Sequence, residues 1–314
     1  MKKHSSKKKM TRNGNDKEAK QTFAFYIGID LGDKNSEVCV FDPNGEVSEQ
    51  FRLAMKASDF QGYFVVLPRS RVALEAGGQS RWVAEVIERC GHEVYVSNTR
   101  KVPYIHQSED KDDPGDAYKL AELVYFKPRL LHPIRHRSRE AQADLSWIRA
   151  REVLVESRTQ VINAVRGMSK GFGDRLQRCA VEAFPAKLAE QVPAAIRGAV
   201  APLLEVIDHL NEQIRYYDEM EEHIARQRYG KYWLLQQVDG VGVHTALTFM
   251  LTIGDAERFA KSRQVGSFLG LTPKRRESGE SKPQLGISKA GGYVSAKNVG
   301  ELRPSHFGAG WAGQ

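Results

Sequence analysis

Cysteines are few in this chain and long apolar runs are absent, which excludes several classes of protein. Three cysteines, Cys39, Cys90 and Cys179, occur among 314 residues, and no two of them form a C-x-x-C pair. An odd number without that spacing argues against a disulfide framework and against a zinc cluster. The N-terminus has no secretory apolar segment, and no apolar run is long enough to span a bilayer. We therefore expect a cytoplasmic protein that has no membrane partner.

Positive charge is concentrated at the N-terminus of the chain. The net charge is +8, and residues 1–20 contain eight lysines and arginines against two acids, so that the remaining residues carry only about +2. We expect residues 1–22 to be a disordered basic leader that could hold phosphate backbones without sequence selection. A solubilising tail or a cloning artefact would have the same composition.

Short apolar runs alternate with helical stretches between residues 23 and 130. Strands are predicted at 24–30, 36–42, 71–75 and 93–97, and helices at 80–90 and 116–126. This alternation predicts an α/β sheet domain.

Residues 131–228 change to a long-helical pattern. Apolar residues there keep a four-three heptad spacing that only Glu221 breaks, namely Leu203, Ile207, Leu210, Ile214, Tyr217 and Ile224. An earlier stripe repeats every seven residues, with Trp147, Leu154, Val161 and Met168. Two such helices would form an antiparallel hairpin or coiled coil, whose stripes would either dimerise the protein or pack on its own domain.

Four carboxylates stand at the ends of separate predicted elements. Asp30 closes the first strand and Glu75 the third, whereas Asp113 and Asp116 lie three residues apart at a helix start, where they would share a face. Carboxylate oxygens suit hard cations, so the four acids could converge on Mg²⁺ or Mn²⁺. Two such ions about 4 Å apart can activate a nucleophile and stabilise the leaving oxygen of a phosphodiester.

Each acid also has a purely structural interpretation. Asp113-Pro114-Gly115-Asp116 is a good helix start, with Asp at the N-cap, Pro at the first helical position and an acid two residues later. Asp30 could be a turn residue and Glu75 an exposed acid before a glycine-rich loop. The metal hypothesis therefore depends on the four residues as a set.

Glycines and basic residues mark a second candidate region near the C-terminus. Gly240 and Gly242 resemble the hairpin of a helix-hairpin-helix, where glycines let backbone amides approach a phosphate at a helix N-terminus. Such contacts hold the DNA backbone and do not read bases. A tight turn between two buried helices is the alternative. Lys274, Arg275 and Arg276 add local positive charge, which a scissile phosphate would need at this point.

The order of these motifs resembles that of a known family. Tyr-Ile-Gly-Ile-Asp at 26–30, Ala-Leu-Glu-Ala-Gly at 73–77 and Lys-Asp-Asp-x-x-Asp-Ala at 111–117 resemble the DEDD, RuvC-like nuclease domain of the IS-one-ten/IS-eleven-eleven insertion-sequence transposases. Segments 238–246, 268–273 and 277–281 resemble that family's second transposase domain. Two ordered blocks at this separation are more specific than any single motif.

The resemblance implies a domain organisation and an activity. It implies a ribonuclease-H-like (RuvC-like) domain at 23–130, a long helical or coiled-coil region at 131–228, and a small, mainly α transposase domain with a helix-hairpin-helix-like motif at 229–314. The implied activity is metal-assisted cleavage and rejoining of DNA strands at element ends and target. A homo-oligomer formed through the helical region and a place at the nucleoid are also implied.

The same resemblance implies that Ser278 is the nucleophile, in a composite site that joins the carboxylates of one protomer to the serine of another. A serine that attacks a phosphodiester would conserve the energy of the bond as a phosphoserine linkage. No His-Asp pair lies nearby in sequence, so activation would have to come from the metal or from groups across the fold. Ser281 is the neighbouring candidate, and a Ser-Gly pair by itself indicates a turn.

An RNA partner is implied by the family alone. Its members resemble recombinases that use an element-encoded bridge RNA to pair with donor and target DNA, which would leave sequence choice to base pairing. The residues themselves show no aromatic RNA-binding motif. Segment 27–32 also resembles the first phosphate loop of actin-like kinases and ATPases, but that class needs a second lobe for which the helical region leaves no room.

The C-terminal segment departs from the family. After Gly291 the family continues with a basic, leucine-rich helix, whereas residues 292–314 are rich in glycine and have no helical apolar stripe. This predicts a truncation or frameshift after about residue 290, an under-packed second domain and weak or absent recombination. The alternative function is therefore a recombination-inactive remnant that binds nucleic acid.

Overall fold

A computed structural model of the chain describes residues 23–98, 102, 113–274, 283 and 285–287. The chain divides into two compact units, the first ending at His136 and the second beginning at Arg137. Among the described residues, no helix combines the length and apolarity needed to cross a bilayer.

A mixed five-stranded sheet forms the centre of the first unit. Its strands are β1 (Tyr26–Leu31), β2 (Asn35–Phe41), β3 (Val47–Ala54), β4 (Arg71–Glu75) and β5 (Glu93–Ser97). They lie in the order β3-β2-β1-β4-β5, antiparallel from β3 to β1 and parallel from β1 to β5. The predicted α/β sheet domain is therefore confirmed.

In the part of the chain that the structure describes, three helices cover the two faces of this sheet. They are α1 (Ala57–Phe64), α2 (Ser80–Arg89) and α3 (Asp113–Phe126). Because side chains alternate along a strand, Ile27 and Ile29 of β1 face α1 and α2 and pack against Phe60 and Phe64. The opposite face, which includes Ala73 of β4, packs against α3.

Gly28 lets α3 approach the sheet very closely. A Cβ atom at this position would lie 2.0 Å from the carbonyl oxygen of Ala117 and 2.3 Å from the amide nitrogen of Ala121. No side chain can be accommodated at those distances, so glycine is required for this packing. The Gly28 motif that suggested a strand thus also fixes the distance between helix and sheet.

Six α-helices make up the described part of the second unit. They are α4 (Arg139–Gly171), α5 (Phe184–Leu188), α6 (Arg197–Arg228), α7 (Tyr232–Leu235), α8 (Val243–Ile253) and α9 (Arg263–Phe268). Short 3₁₀ turns occur at Pro128–Leu131 in the first unit and at Ala194–Ile196 and Ala256–Arg258 in the second.

Helices α4 and α6 run antiparallel along each other. Arg151, in the first half of α4, pairs with Asp218, in the second half of α6, at 2.6 Å. Arg158, later in α4, donates to Asn211, earlier in α6, at 2.8 Å. Helix α8 packs against both, in an apolar cluster that includes Leu145, Ile148, Ile224, Leu247 and Leu251.

Arg137 caps the C-terminal end of α8. Its guanidinium donates to the carbonyl oxygens of Leu251 at 2.7 Å and Thr252 at 3.5 Å, where the last carbonyls of a helix have no intrahelical donor. Burial, together with the neighbouring charges of Arg149 and Arg258, lowers the pKa of Arg137. The residue remains a cation at neutral pH. Its hydrogen bonds connect the first residue of the second unit to the end of α8.

Candidate functional site

Asp30 and Glu75 lie side by side at the carboxyl edge of the sheet. The parallel strands β1 and β4 pair Ile29 with Leu74, and the two acids are the next residue along each strand. Asp30 shares a face with Gly28, and Glu75 shares a face with Ala73, because alternate residues point to the same side. Both acids therefore face the side of the sheet that α3 covers.

The direction of α3 brings its first turn to the same edge. Tyr125 near its end contacts Tyr26 at the start of β1, with ring centroids 4.8 Å apart, whereas Ala117 lies over Gly28. The helix thus runs opposite to β1, and its first turn, with Asp116, extends toward the end of β1. The structure therefore directs three of the four predicted acids to one edge of one unit.

Asp113 and Asp116 both lie in the first turn of α3. Asp113 is the first residue of α3, and its side chain lies outside the described residues. Asp116 accepts a hydrogen bond from Lys119 at 2.8 Å, and the two side chains are only 23% and 13% exposed. The Lys119 ammonium group is therefore the ion-pair partner of Asp116 in this structure.

Asp30 and Glu75 belong to a row of polar residues that lie next to one another across all five strands of the sheet. Asp30 is the direct partner of Glu37 on β2, Glu37 is the partner of Arg52 on β3, and Glu75 is the partner of Ser97 on β5. Glu37 and Arg52 also form an ion pair. Sequence patterns do not identify these neighbours, because strand register is not visible in one sequence.

The donor chemistry of this edge fits a hard divalent cation. Carboxylate oxygens on neighbouring strands are the ligands that Mg²⁺ and Mn²⁺ prefer. Among the described side chains, however, no group of three or more acids, histidines or cysteines is close enough to hold an ion by itself. The fit therefore depends on Asp30, Glu75 and Asp116 together with Asp113.

Hydrogen bonds connect the loops that follow β1 and β4. The Gln79 side chain donates to the Gly32 carbonyl oxygen at 3.2 Å. The buried Ser80 hydroxyl donates to the Gly77 carbonyl oxygen at 2.8 Å and accepts from the Gly77 amide at 3.1 Å. His136 contacts the same hydroxyl through Nε2 at 3.3 Å. These contacts fix the backbone immediately after Asp30 and Glu75.

Gly240 and Gly242 form a turn immediately before α8. Gly240 has φ +83°, in the left-handed region that favours glycine, and Gly242 is the N-cap of α8. The Ala246 amide donates to the Gly242 carbonyl oxygen at 3.0 Å, which closes the first turn of the helix. The turn predicted from the two glycines is present, while its role in DNA binding stays a prediction.

Acidic residues of α6 surround one side of this turn. Glu221, the residue that interrupts the heptad stripe, is 1% exposed and pairs with Nδ1 of His244 at 2.8 Å. A cavity of about 360 Å³ is lined by Asp218, Glu219, Glu221, Glu222, Gly242, Val243 and His244. These carboxylates would repel a phosphate, so a DNA backbone would have to approach the turn from its other side.

The remaining predicted residues are only partly described. Lys274 is exposed, and its amide donates to the Gly286 carbonyl oxygen at 3.0 Å. A bridge between Pro273 and Ile287 holds the two ends of the intervening segment side by side. That segment contains Arg275, Arg276, Ser278 and Ser281, all of which lie outside the described residues.

Known families match both halves of the chain. The model for the DEDD domain of IS110 elements, described as "Transposase", matches residues 27–172. A second model, described as "Transposase IS116/IS110/IS902 family", matches residues 232–294. The first range contains the four acids, and the second contains the glycine turn and Ser278.

Curated relatives agree with these matches over most of their length. The chain is 27% identical to the "Transposase for insertion sequence element IS1111A" of Coxiella burnetii over 280 residues, which cover 85% of this chain and 74% of the relative. It is 29% identical to the "Probable family 20 transposase" of Pseudomonas aeruginosa over 275 residues, which cover 84% and 79%. The predicted resemblance is therefore confirmed, and the chain belongs to the IS110/IS1111 family of insertion-sequence transposases.

Proposed function

We propose that this chain cleaves and rejoins DNA strands at the ends of an insertion sequence and at its target, and that the carboxyl edge of the sheet is its metal site. The observation that carries the proposal is the adjacency of Asp30 and Glu75 on the face covered by α3. The strand order, with three antiparallel strands followed by two parallel ones, supports a ribonuclease-H-like fold for this unit.

In this proposal each acid has a defined task. Asp30 and Glu75 would hold a divalent ion from the sheet, and Asp113 and Asp116 would hold it from the first turn of α3. When bound, one or two Mg²⁺ or Mn²⁺ ions would polarise the scissile phosphate and stabilise the developing negative charge. Gly28 sets the distance between α3 and β1. It therefore sets how far Asp113 and Asp116 on the helix lie from Asp30 and Glu75 on the sheet.

The strand exchange itself is assigned to Ser278. Its oxygen would bond to phosphorus while the phosphorus–oxygen bond to the leaving strand breaks, and the leaving oxygen would take up the proton. A hydroxyl of the incoming strand would later reverse this step, so that no external energy source is needed. Family membership supports this assignment, in which the serine of one protomer acts with the carboxylates of another.

The remaining residues of the proposal bind nucleic acid. The turn at Gly240 and Gly242 would hold a DNA backbone through main-chain amides, and Lys274, Arg275 and Arg276 would add positive charge near the scissile phosphate. A bridge RNA would select donor and target by base pairing. We place the reaction at the nucleoid, with a homo-oligomer assembled through α4 and α6.

Cleavage of matched DNA tests the proposal. The purified chain is incubated with MgCl₂, DNA carrying the element ends that flank its gene, and RNA transcribed from that flank. Asp30→Asn is expected to lower the cleavage rate about 10³-fold, equivalent to roughly 4 kcal/mol of barrier. Asp33→Asn is the matched control, because Asp33 is an exposed acid in the loop after β1.

The control distinguishes loss of a metal ligand from loss of one negative charge near the end of β1. Equal cleavage by Asp30→Asn and the wild type would contradict the metal site. A wild-type protein that binds the DNA but produces neither cut strands nor a covalent adduct would instead be the recombination-inactive remnant.

A further inference from the structure

Glu37 lies beside Asp30 on the same face of the sheet. The two residues are direct partners in the antiparallel pair β1–β2, so their Cα atoms are about 4.5–5.5 Å apart and their side chains point to the same side. The neighbours of Glu37 confirm this orientation, since Cys39, two residues further, packs on the α3 side. Asp30 therefore has a carboxylate on each flanking strand, Glu37 and Glu75.

Arg52 balances the charge of Glu37 from the adjacent edge strand. The two residues are register partners on β2 and β3, and Arg52 Nε donates to Glu37 Oε1. The Arg52 side chain is 72% exposed, whereas Glu37 is 14% exposed. A pair with one partner in water contributes little to stability, so fold stability alone gives no strong reason for it.

Glu37, Asp30 and Glu75 stand next to one another on three neighbouring strands, so a cation bound at this edge would interact with all three carboxylates. Like charges that face each other on one side of a sheet repel and destabilise the pairing. Arg52 pairs with Glu37, and a divalent ion held by Asp30 and Glu75 would interact favourably with both of those carboxylates. Any ion bound at that edge would therefore interact with the charges of Glu37 and Arg52, because the Coulomb energy falls only slowly with distance.

We propose that Glu37 and Arg52 form a charge-setting pair beside the metal site and together determine its affinity for divalent cations. Glu37 raises the negative potential at Asp30, and Arg52 limits that rise. The inference rests on the metal site proposed above, and it assigns to Glu37 and Arg52 no direct bond to the ion.

Mn²⁺ binding by the full chain provides the test. The dissociation constant is measured by calorimetry, and the increase in melting temperature with MnCl₂ gives an independent readout. Glu37→Gln is expected to weaken binding about fivefold and Arg52→Gln to tighten it by a similar factor, the size expected for one unit charge acting on a divalent ion a few ångströms away in a high dielectric. The double variant Glu37→Gln/Arg52→Gln restores the wild-type net charge and is expected to bind within about twofold of the wild type.

A matched variant distinguishes charge from packing. Arg52→Lys keeps the positive charge and is expected to bind Mn²⁺ as the wild type does. If Arg52→Gln leaves affinity unchanged or lowers it, or if Arg52→Lys shifts affinity as much as Arg52→Gln does, the inference is overturned. High salt is expected to shrink the differences, since Arg52 is exposed.

Asp30→Asn separates this inference from the proposed function. Loss of Mn²⁺ binding in Asp30→Asn, together with unchanged binding in the Glu37 and Arg52 variants, would overturn the charge-setting pair alone. Wild-type binding by Asp30→Asn, or no saturable binding by the wild type, would overturn the metal site and the charge-setting pair with it.

Discussion

Replacing Gly28 by alanine is expected to lift α3 from the sheet. The added Cβ atom would lie 2.0 Å from the Ala117 carbonyl oxygen and 2.3 Å from the Ala121 amide nitrogen. Both are backbone atoms, so no side-chain rotation can relieve the overlap. The helix must move by roughly 1 Å or more to restore an ordinary contact distance, and forced overpacking of this kind costs about 1–3 kcal/mol.

The same shift would move Asp116 away from Asp30. A misplacement of about 1 Å at a catalytic group can cost about 10²-fold in rate. We therefore expect Gly28→Ala to lower both the stability of the first unit and the rate of strand cleavage. The loss of rate should exceed what partial unfolding accounts for when the assay is run well below the melting temperature.

Hydrogen exchange followed by mass spectrometry measures this effect where it occurs. In Gly28→Ala, amides of β1 and α3 should exchange faster, while those of α4 and α6 in the second unit should not change. Gly62→Ala is the control, because Gly62 lies in α1 and nothing lies within 4 Å of its added Cβ atom. That variant should be neutral or more stable by up to about 1 kcal/mol. Wild-type protection of α3 in Gly28→Ala would show that the added Cβ atom does not displace the helix.

Three further predictions concern single side chains. Asp116→Asn should lower Mg²⁺-dependent cleavage about 10³-fold in the same gel assay, and near wild-type cleavage would remove Asp116 from the site. Ser278→Ala should abolish the covalent protein–DNA adduct on denaturing gels while Ser281→Ala should not, and an adduct that survives Ser278→Ala would place the nucleophile elsewhere. His244→Ala should lower the free energy of unfolding by about 1–3 kcal/mol in a denaturant titration, because it leaves the buried Glu221 carboxylate without this partner; an unchanged midpoint would contradict that.

The sequence predicts much of the first unit because its core strands carry strong signals. β1, β2, β4 and β5 are apolar and end at turn residues, so their positions are correct to within about two residues. Strand β3 escapes prediction because it is an edge strand whose first four residues are exposed, and three of them, Ser48, Glu49 and Gln50, are polar. Helix α1 has only eight residues, too few for a clear helical period.

The sequence predicts the acidic residues of the candidate site but not the residues that lie beside them in the sheet. Asp30 and Glu75 are recognisable because each ends a strand, and the structure places them next to each other. Glu37 and Arg52 join them only through the register of the sheet, which one sequence does not contain. Lys119 pairs with Asp116 at helical spacing, so the sequence could have suggested that contact.

Glu221 shows how an interruption in a pattern can carry information. The heptad stripe predicts an apolar residue at this position, and the structure instead buries a carboxylate that pairs with His244 at the start of α8. A buried polar pair is seldom more stable than a well-packed apolar pair, so the Glu221–His244 contact points to a fixed arrangement between α6 and the glycine turn. The pairing partner was not predictable, since it lies 23 residues further along the chain.

Anomalous diffraction from crystals grown with MnCl₂ would locate a metal ion bound to the protein. We expect a manganese peak at the carboxyl edge of the sheet, about 2–2.5 Å from carboxylate oxygens of Asp30 and Glu75 and of the first turn of α3. The peak should be absent in Asp30→Asn crystals grown in the same way. A wild-type peak far from Asp30, or no peak at millimolar MnCl₂, would contradict the metal site on which the proposed reaction depends.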